Sequence, residues 1–363
     1  MTVEEVQLTE IRNQIDAIDA QIQSLIGQRA ACAQKVADIK TQGGKVEAVF
    51  YRPEREAQVL RSVKERNDSL LPDEEMAKLF REIMSACLAL EQPMSIAYLG
   101  PEGSYSHASV IKQFGVSAHP VAVSTIDQVF EAVESGEANY GMVPVENSSE
   151  GVVKSTQNAL LKTSLQVSGE VDLPIHHCLL SRSQHVEGIR KVVAHQQALG
   201  QCEQWLKNNL PWVQLEAVDS NALASKMAQQ DEQLAAIASE QAAMLYELHI
   251  LDANIEDQKS NTTKFWVIGR DEVAPSGEDK TAMVLSIRNK SGALLDILES
   301  FATRGINMTR IISQPSTHKK WDYLFFIDVL GHKDEPALKD ALSEVESKAA
   351  FFKLLGSFPI SPL

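Results

Sequence analysis

Apolar residues near the start of the chain recur at Leu8, Ile11, Ile15, Ile18, Ile22 and Leu25, in alternating steps of three and four. That is the period of one stripe on a helix, and no strand reproduces it. Continued, the stripe falls on Arg29, Cys32, Val36 and Ile39. The spacing predicts a single helix running to about Lys40 and ending before Gly43-Gly44. So long a helix cannot bury a coiled-coil-like seam alone. Two shorter helical stretches follow, near Pro53–Arg66 and Asp73–Glu91, and a homodimer is expected to cover the rest.

Arg29 occupies a seam position, and a buried guanidinium is costly unless an anion pairs with it. Lys40 lies three turns further on, so it shares that face roughly 16 Å away. Two long cations could converge there on one small anion. Arg12 sits on a nearby face but about 25 Å from Arg29 along the axis, so it reaches the same site only from a second chain. The competing reading pairs Arg29 with a carboxylate such as Glu56 and leaves the other charges solvated. Pattern alone does not separate the two.

A length of 363 residues suggests two or three domains. Net charge is −15, which repels nucleic acid and anionic lipid, so neither is an expected partner. Any anionic substrate must then be held by a local cluster of Arg, Lys or helix N-termini. The chain has no run of eighteen apolar residues that would span a membrane, and its acidic N-terminus lacks a signal-peptide pattern. Cys32, Cys87, Cys178 and Cys202 are far apart, which fits a reduced, cytoplasmic protein without a zinc site.

Gln92-Pro93-Met94 reads as a linker, and βαβ order follows it. Ser95–Leu99 is apolar and leads into Gly100-Pro101-Glu102-Gly103-Ser104 and a helix. Val121–Val123 is a strand, and Thr125 with Gln128 forms a capping box for the next helix. The run from Tyr140 stops at Glu146-Asn147-Ser148-Ser149, where a helical pattern starts. A strand that turns directly into a helix aims free N–H groups at one spot, a seat for a carboxylate. An ordinary helix cap explains each such junction equally well. A second set of strands, Ile175–Leu180, Ile189–Val193, Val213–Val218 and Leu234–Ala238, adds junctions at His195, Ser220 and Ser239. With Ser104 and Asn147 that makes five, and ligands of such sheets sit at the carboxyl ends of strands. Two lobes around a cleft are expected. Asn261-Thr262-Thr263-Lys264 opens a strongly apolar strand. His176-His177 reads as part of a strand, with the two rings on opposite faces and unable to chelate one metal. Gly100–Gly103 lacks the Lys of a P-loop and the third Gly of a dinucleotide fingerprint, so neither metal nor cofactor is expected.

Pro275-Ser276-Gly277 is a second linker. The elements after it (Thr281–Ile287, Gly292–Ala302, Ile306–Ile312, Tyr323–Val329, Glu335–Val345 and Phe351–Phe358) are in βαββαβ order, a ferredoxin-like α+β motif. The division expected is residues 1–92, 95–272 and 280–360.

Each segment resembles a known family. Leu8 to Glu91 resembles the all-helical chorismate mutases. That resemblance places Arg12 of a partner chain, Arg29, Lys40, Arg55 and Glu56 on substrate, with Arg52, Cys87 and Glu91 at further contact positions. Arg52 stands where some members have Asp, Cys87 replaces Ser, and Glu91 replaces a Gln. It also implies that Lys40 faces the breaking ether oxygen of chorismate, and that Glu91 helps only when protonated. Gly100-Pro101-Glu102-Gly103-Ser104, Pro144-Val145-Glu146-Asn147-Ser148, His195 through Gln201-Cys202 and Thr262-Thr263-Lys264-Phe265 together resemble prephenate dehydratase. The fold implied is a two-lobed α/β domain of the periplasmic-binding-protein type. Thr263 would be its catalytic hydroxyl, and Ser104, Asn147, Ser148, Gln201, Ser220 and Lys264 would contact prephenate. Lys264 replaces the usual Arg, and Ala194 the usual Ser before His195. The last segment resembles an ACT domain. Gly292, Ala293, Leu294 and Leu295, with Ser313 on a second loop, would bind phenylalanine. Ile312 and Gln314 stand where dehydratases usually carry Glu and Arg.

Together these imply an enzyme that takes chorismate to prephenate and then to phenylpyruvate under phenylalanine feedback. A different class of reading is a ligand-binding regulator with a helical dimerisation domain and an ACT sensor. A third is an enzyme whose mutase domain has decayed.

Overall fold

The computed structural model describes residues 2–42, 51–287, 290–315 and 323–363. Helix α1 (Val3–Gln42) is a single 40-residue helix. The expected stop at Gly43-Gly44 lies outside the described residues. Helices α2 (Pro53–Glu65) and α3 (Asp73–Glu91) pack on each other, and α3 packs on the C-terminal part of α1. Pro53 opens α2, where a missing N–H costs nothing. Among the described side chains of α1 the buried one is Ala37, whereas the seam from Leu8 to Leu25 and Ile39 beyond it are exposed. Within one chain, α3 meets small residues beside the seam and leaves the seam itself uncovered.

The first lobe carries β1 (Ser95–Leu99), α4 (Tyr105–Phe114), β2 (His119–Val123), α5 (Ile126–Glu134), β3 (Tyr140–Asn147), β4 (Gly151–Val152), α6 (Lys154–Lys162) and β5 (Gln166–Pro174). The second lobe carries β6 (Cys178–Ser181), β7 (Lys191–His195), α7 (Gln196–Gln201), α8 (Glu203–Asn209), β8 (Gln214–Val218), α9 (Asn221–Gln230), β9 (Leu234–Ala238), α10 (Glu240–Leu245) and β10 (His249–Asp252). The chain then returns as β11 (Thr262–Gly269), which inserts antiparallel between β3 and β5. The lobe sheets run β2-β1-β3-β11-β5 and β10-β6-β9-β7-β8. Two crossings join them, at residues 175–177 and 253–261.

The C-terminal sheet, order β13-β14-β12-β15, comprises β12 (Asp279–Ser286), β13 (Met308–Pro315), β14 (Tyr323–Leu330) and β15 (Phe351–Pro359). Helices α11 (Ala293–Ala302) and α12 (Pro336–Lys348) cover one face. The other face does not meet solvent. Ala282, Val284, Leu324, Phe326, Leu355 and Phe358 share one core with Val143, Trp266 and Ile268 of the first lobe. Gly356, at φ +150°, lets β15 lie directly on the backbone of Val167, where any Cβ would strike the Val167 carbonyl.

Two expectations fail in detail. The segment holding His176 and His177 is a lobe crossing and not a strand. Asn147 also does not lead directly into a helix. A tight turn and the short β4 intervene, and α6 starts at Lys154 without a side-chain cap. The Asn147 amide is used locally instead, its Oδ1 accepting the N–H of Ser149 at 2.9 Å and of Glu150 at 3.1 Å.

Candidate active sites

The cleft between the lobes is a cavity of about 270 Å³. Thr263, second residue of β11, lies opposite Asn147, last residue of β3, in antiparallel register. Because two backbone donors occupy Asn147 Oδ1, its Nδ2 is the atom that faces Thr263, and it donates to Oγ1 at 2.8 Å. The Thr263 oxygen is thus an acceptor within the protein, which leaves its own proton for a ligand. Ser104 caps α4 by accepting from His107 N at 3.3 Å, and Ser220 caps α9 by accepting from Leu223 N at 3.1 Å. The N-termini of both ten-residue helices open on the cleft, as do His195 and Ser239. Ser239 also donates to Gly103 O at 3.1 Å, tying one lobe to the other.

Gln201 lines the cleft too, and its Oε1 lies 2.7 Å from His177 Nε2. Nδ1 of that ring lies 2.7 Å from the Tyr105 hydroxyl. Burial pushes the His177 pKa down, with the Gln201 contact acting against it, so the ring is neutral and carries one proton. The Tyr105 hydroxyl also donates to His176 O at 2.8 Å, so Tyr105, His177 and Gln201 form one hydrogen-bonded chain along the cleft. Tyr105 and His177 were missed by sequence reasoning, because a strand reading of residues 175–180 hid the one histidine of the pair that turns inward. Its neighbour His176 turns out and meets Glu256 at 2.8 Å.

Two expected contacts lie elsewhere. Ser148 is exposed and pins the start of β11, accepting from Thr262 N at 3.0 Å. Lys264 projects from the opposite face of β11, as the alternation of a strand requires. Its Nζ lies 2.8 Å from Asp172 and 3.3 Å from Glu170. Burial alone would lower its pKa, but these two carboxylates outweigh it and hold the ammonium charged. Among the described residues no Arg or Lys lines the cleft. A dianion there would be held by helix N-termini and neutral donors.

The second cavity, about 590 Å³, lies between α1, α2 and α3 and is rich in charge. It gathers Arg29, Lys40, Arg52, Arg55, Glu56, Cys87 and Glu91. Arg12 is outside it, exposed on the far part of α1. Glu56 pairs with Arg81 at 3.0 Å, not with Arg29. Arg81 is 4% exposed and also donates to the carbonyls of Lys112 at 2.9 Å and Gln113 at 2.5 Å, which terminate α4. It fills a stripe position of α3 between Ala77 and Met84, the same signal that singled out Arg29. Burial raises the Glu91 pKa, and Lys40 and Arg29 oppose that shift. Burial lowers the Lys40 pKa, with Glu91 opposing and Arg52 adding to the fall. Cys87 is buried, and Arg52 lies 3.5 Å from Glu54.

In the C-terminal domain Gly292, at φ +80°, turns the chain into α11, and Leu295 is exposed on its first turn. Ala293 is buried and Leu294 packs partly into the core. Ser313 is exposed on β13, an edge strand of its sheet.

Three family models match the chain in order: chorismate mutase type II over residues 11–92, prephenate dehydratase over 96–273 and the ACT domain over 281–347. The bifunctional chorismate mutase/prephenate dehydratase of Pseudomonas aeruginosa is 47% identical over 356 residues, covering 97% of this chain and 98% of its own. Two solved structures superpose with a TM-score of 0.67 at 30% identity. One is a prephenate dehydratase from Arthrobacter aurescens in complex with L-Phe, covering 73% of this chain and 90% of that one. The other is described as a novel type of quorum quenching acylase, covering 74% and 98%. One fold therefore carries differently named activities, and the site residues must decide between them.

Proposed function

The chain belongs to the family of bifunctional chorismate mutase/prephenate dehydratases, and from that premise we propose how its two cavities divide the chemistry. The enzyme rearranges chorismate to prephenate, then dehydrates and decarboxylates prephenate to phenylpyruvate, with phenylalanine feedback through the ACT domain. The observation that carries the division is the contrast between the two sites. One is a cationic pocket among helices, and the other is a cleft of neutral donors around a threonine hydroxyl.

Rearranging chorismate needs no covalent help from the protein. The helical pocket holds the compact dianion and stabilises charge growing on the breaking ether oxygen. Arg29 and Arg55 clamp carboxylates, Lys40 faces the ether oxygen, and protonated Glu91 donates beside it. Arg12 of a second chain completes the pocket, which makes a homodimer through the α1 seam part of the proposal. Support comes from the exposed seam, since six large apolar residues from Leu8 to Leu25 lie uncovered on one helix face.

In the cleft, the electrons of the bond to the departing carboxylate become ring electrons, carbon dioxide leaves, and the ring C–O bond breaks. The hydroxyl leaves as water once it gains a proton. Thr263, its oxygen already receiving a hydrogen bond from Asn147, donates to that leaving oxygen. Ser104, Ser220 and Gln201 hold the carboxylates with the two helix N-termini. Ser148 and Lys264 are not part of the proposed contact set. Gly292 to Leu295 and Ser313 form the proposed phenylalanine site. The proposed domain division is residues 1–92, 95–272 and 280–360, in the cytoplasm, and no described helix is long and apolar enough to cross a membrane.

The test separates the sites. Arg29→Ala loses mutase and keeps dehydratase activity, and Thr263→Val does the reverse. Loss of both activities in either folded variant contradicts the proposal.

A further inference from the structure

The cleft face of the sheet carries Asn147 and Thr263, and the residues just before and after them in the chain point the other way. Glu146, Lys264 and Asp172 lie side by side across β3, β11 and β5, one row behind the proposed catalytic pair. That row faces the ACT sheet, and the ACT sheet grips it. Arg310 on β13 reaches Glu146 with its Nε 2.9 Å from Oε2. Lys280 on β12 reaches Glu170 at 2.5 Å, and Glu170 in turn meets Lys264 at 3.3 Å.

Arg310 is held in an unusual way for a guanidinium that is only 9% exposed. It lies over the fully buried Trp266 ring, 5.5 Å from its centre. Asp328, its cross-strand partner, is 3.6 Å from Nη1, too far for a hydrogen bond. Both Nη atoms and Asp328 Oδ1 lack hydrogen-bond partners among the described residues. Among the described residues the guanidinium makes its one hydrogen bond to Glu146, with the Asp328 carboxylate as a second, longer ion pair. Moving Arg310 therefore moves Glu146, whose Cα is directly bonded into the peptide that carries Asn147.

We propose that Arg310 is a positioning residue for the dehydratase reaction, acting from the ACT sheet through Glu146 on the Asn147–Thr263 pair. The inference rests on the assignment of Asn147 and Thr263 to the dehydratase site.

The experiment uses the full-length enzyme with prephenate as substrate, and mutase turnover of the same preparation reports folding. Arg310→Met and Glu146→Gln should each lower dehydratase kcat about tenfold, within the range for groups coupled in one ion-pair network, with KM and mutase kcat unchanged. The double variant should be no worse than either single one, and Arg310→Lys should recover most of the loss. Lys353→Met removes a different contact between the same two domains, from Lys353 to Leu160 O at 2.7 Å, and should leave kcat unchanged. Additive losses, or an equal loss in Lys353→Met, would overturn the proposal by showing general weakening of domain docking. Full activity in Arg310→Met also overturns it when Asn147→Ala is inactive. Should Asn147→Ala itself stay active, the site assignment fails first.

Discussion

A threonine hydroxyl is too weak an acid to give up its proton unaided, so what matters at Thr263 is direction. The strand register sets Asn147 opposite, and the two turn N–H groups that occupy Asn147 Oδ1 leave only its Nδ2 for Thr263. Thr263→Val should lower dehydratase kcat by about 10²-fold or more, the scale seen when one positioned donor is removed from a reacting oxygen. At Glu91 the environment sets a protonation state. Burial raises its pKa against the pull of Lys40 and Arg29, so the acid form persists above the ordinary carboxylate range. If the acid form is the donor, mutase kcat falls as pH rises through that raised value, and Glu91→Gln removes the fall. A flat profile for the wild-type enzyme from about pH 5 to 9 would rule this role out. These residues differ in how legible they were. Arg29 stood out because it broke an apolar stripe, whereas Thr263 was singled out by the family resemblance, since polar residues before an apolar strand also mark an ordinary strand start. The outward turn of Lys264 was readable from strand alternation alone, yet the family resemblance placed it in the cleft. His177 could not be read, since its role depends on a crossing whose path only the packed lobes define.

Helices and strands were the most legible level. The three-four period located α1, and continuous apolar runs that stop at turn or small polar residues located β1, β3 and β9. What the pattern could not give was which face of α1 meets α3, because Ala37 carries no strong hydrophobic signal against its larger neighbours. Two predictions belong at this scale. Ile18→Asp on the seam should dissociate the proposed dimer and lower mutase kcat by about 10²-fold, if Arg12 acts across it, while dehydratase activity persists. Sedimentation with paired assays would check it. Arg81→Met leaves Glu56 buried without its cation and the α4 carbonyls without a donor, which should cost about 3 kcal/mol in denaturant unfolding. The Glu56 pKa is already raised by burial, with Arg81 opposing the rise. Losing Arg81 raises it further, so the folded variant binds more protons than the unfolded chain. Its stability must then fall as pH rises through that interval. The deficit should be larger at about pH 8 than at about pH 5, and a deficit independent of pH would contradict it.

At the scale of the whole molecule, α4 joins the two proposed sites. Its N-terminus opens on the cleft, and its last residue, Phe114, lines the helical cavity, about 15 Å away. Gly115 closes it at φ +75°, where a Cβ would come within 2.6 Å of Ser85 on α3. The two cavities nevertheless share no lining residue among those described, so within one chain the proposed reactions occupy separate sites. The central claim is that both cavities turn over their substrates in one chain. The direct test supplies chorismate alone and assays prephenate and phenylpyruvate separately, without acid quenching, because acid itself dehydrates prephenate. The predicted result is free prephenate first, then phenylpyruvate after a lag. Turnover only of added prephenate would make the helical domain a dimerisation module, and turnover of neither substrate would return the chain to a ligand-binding regulator.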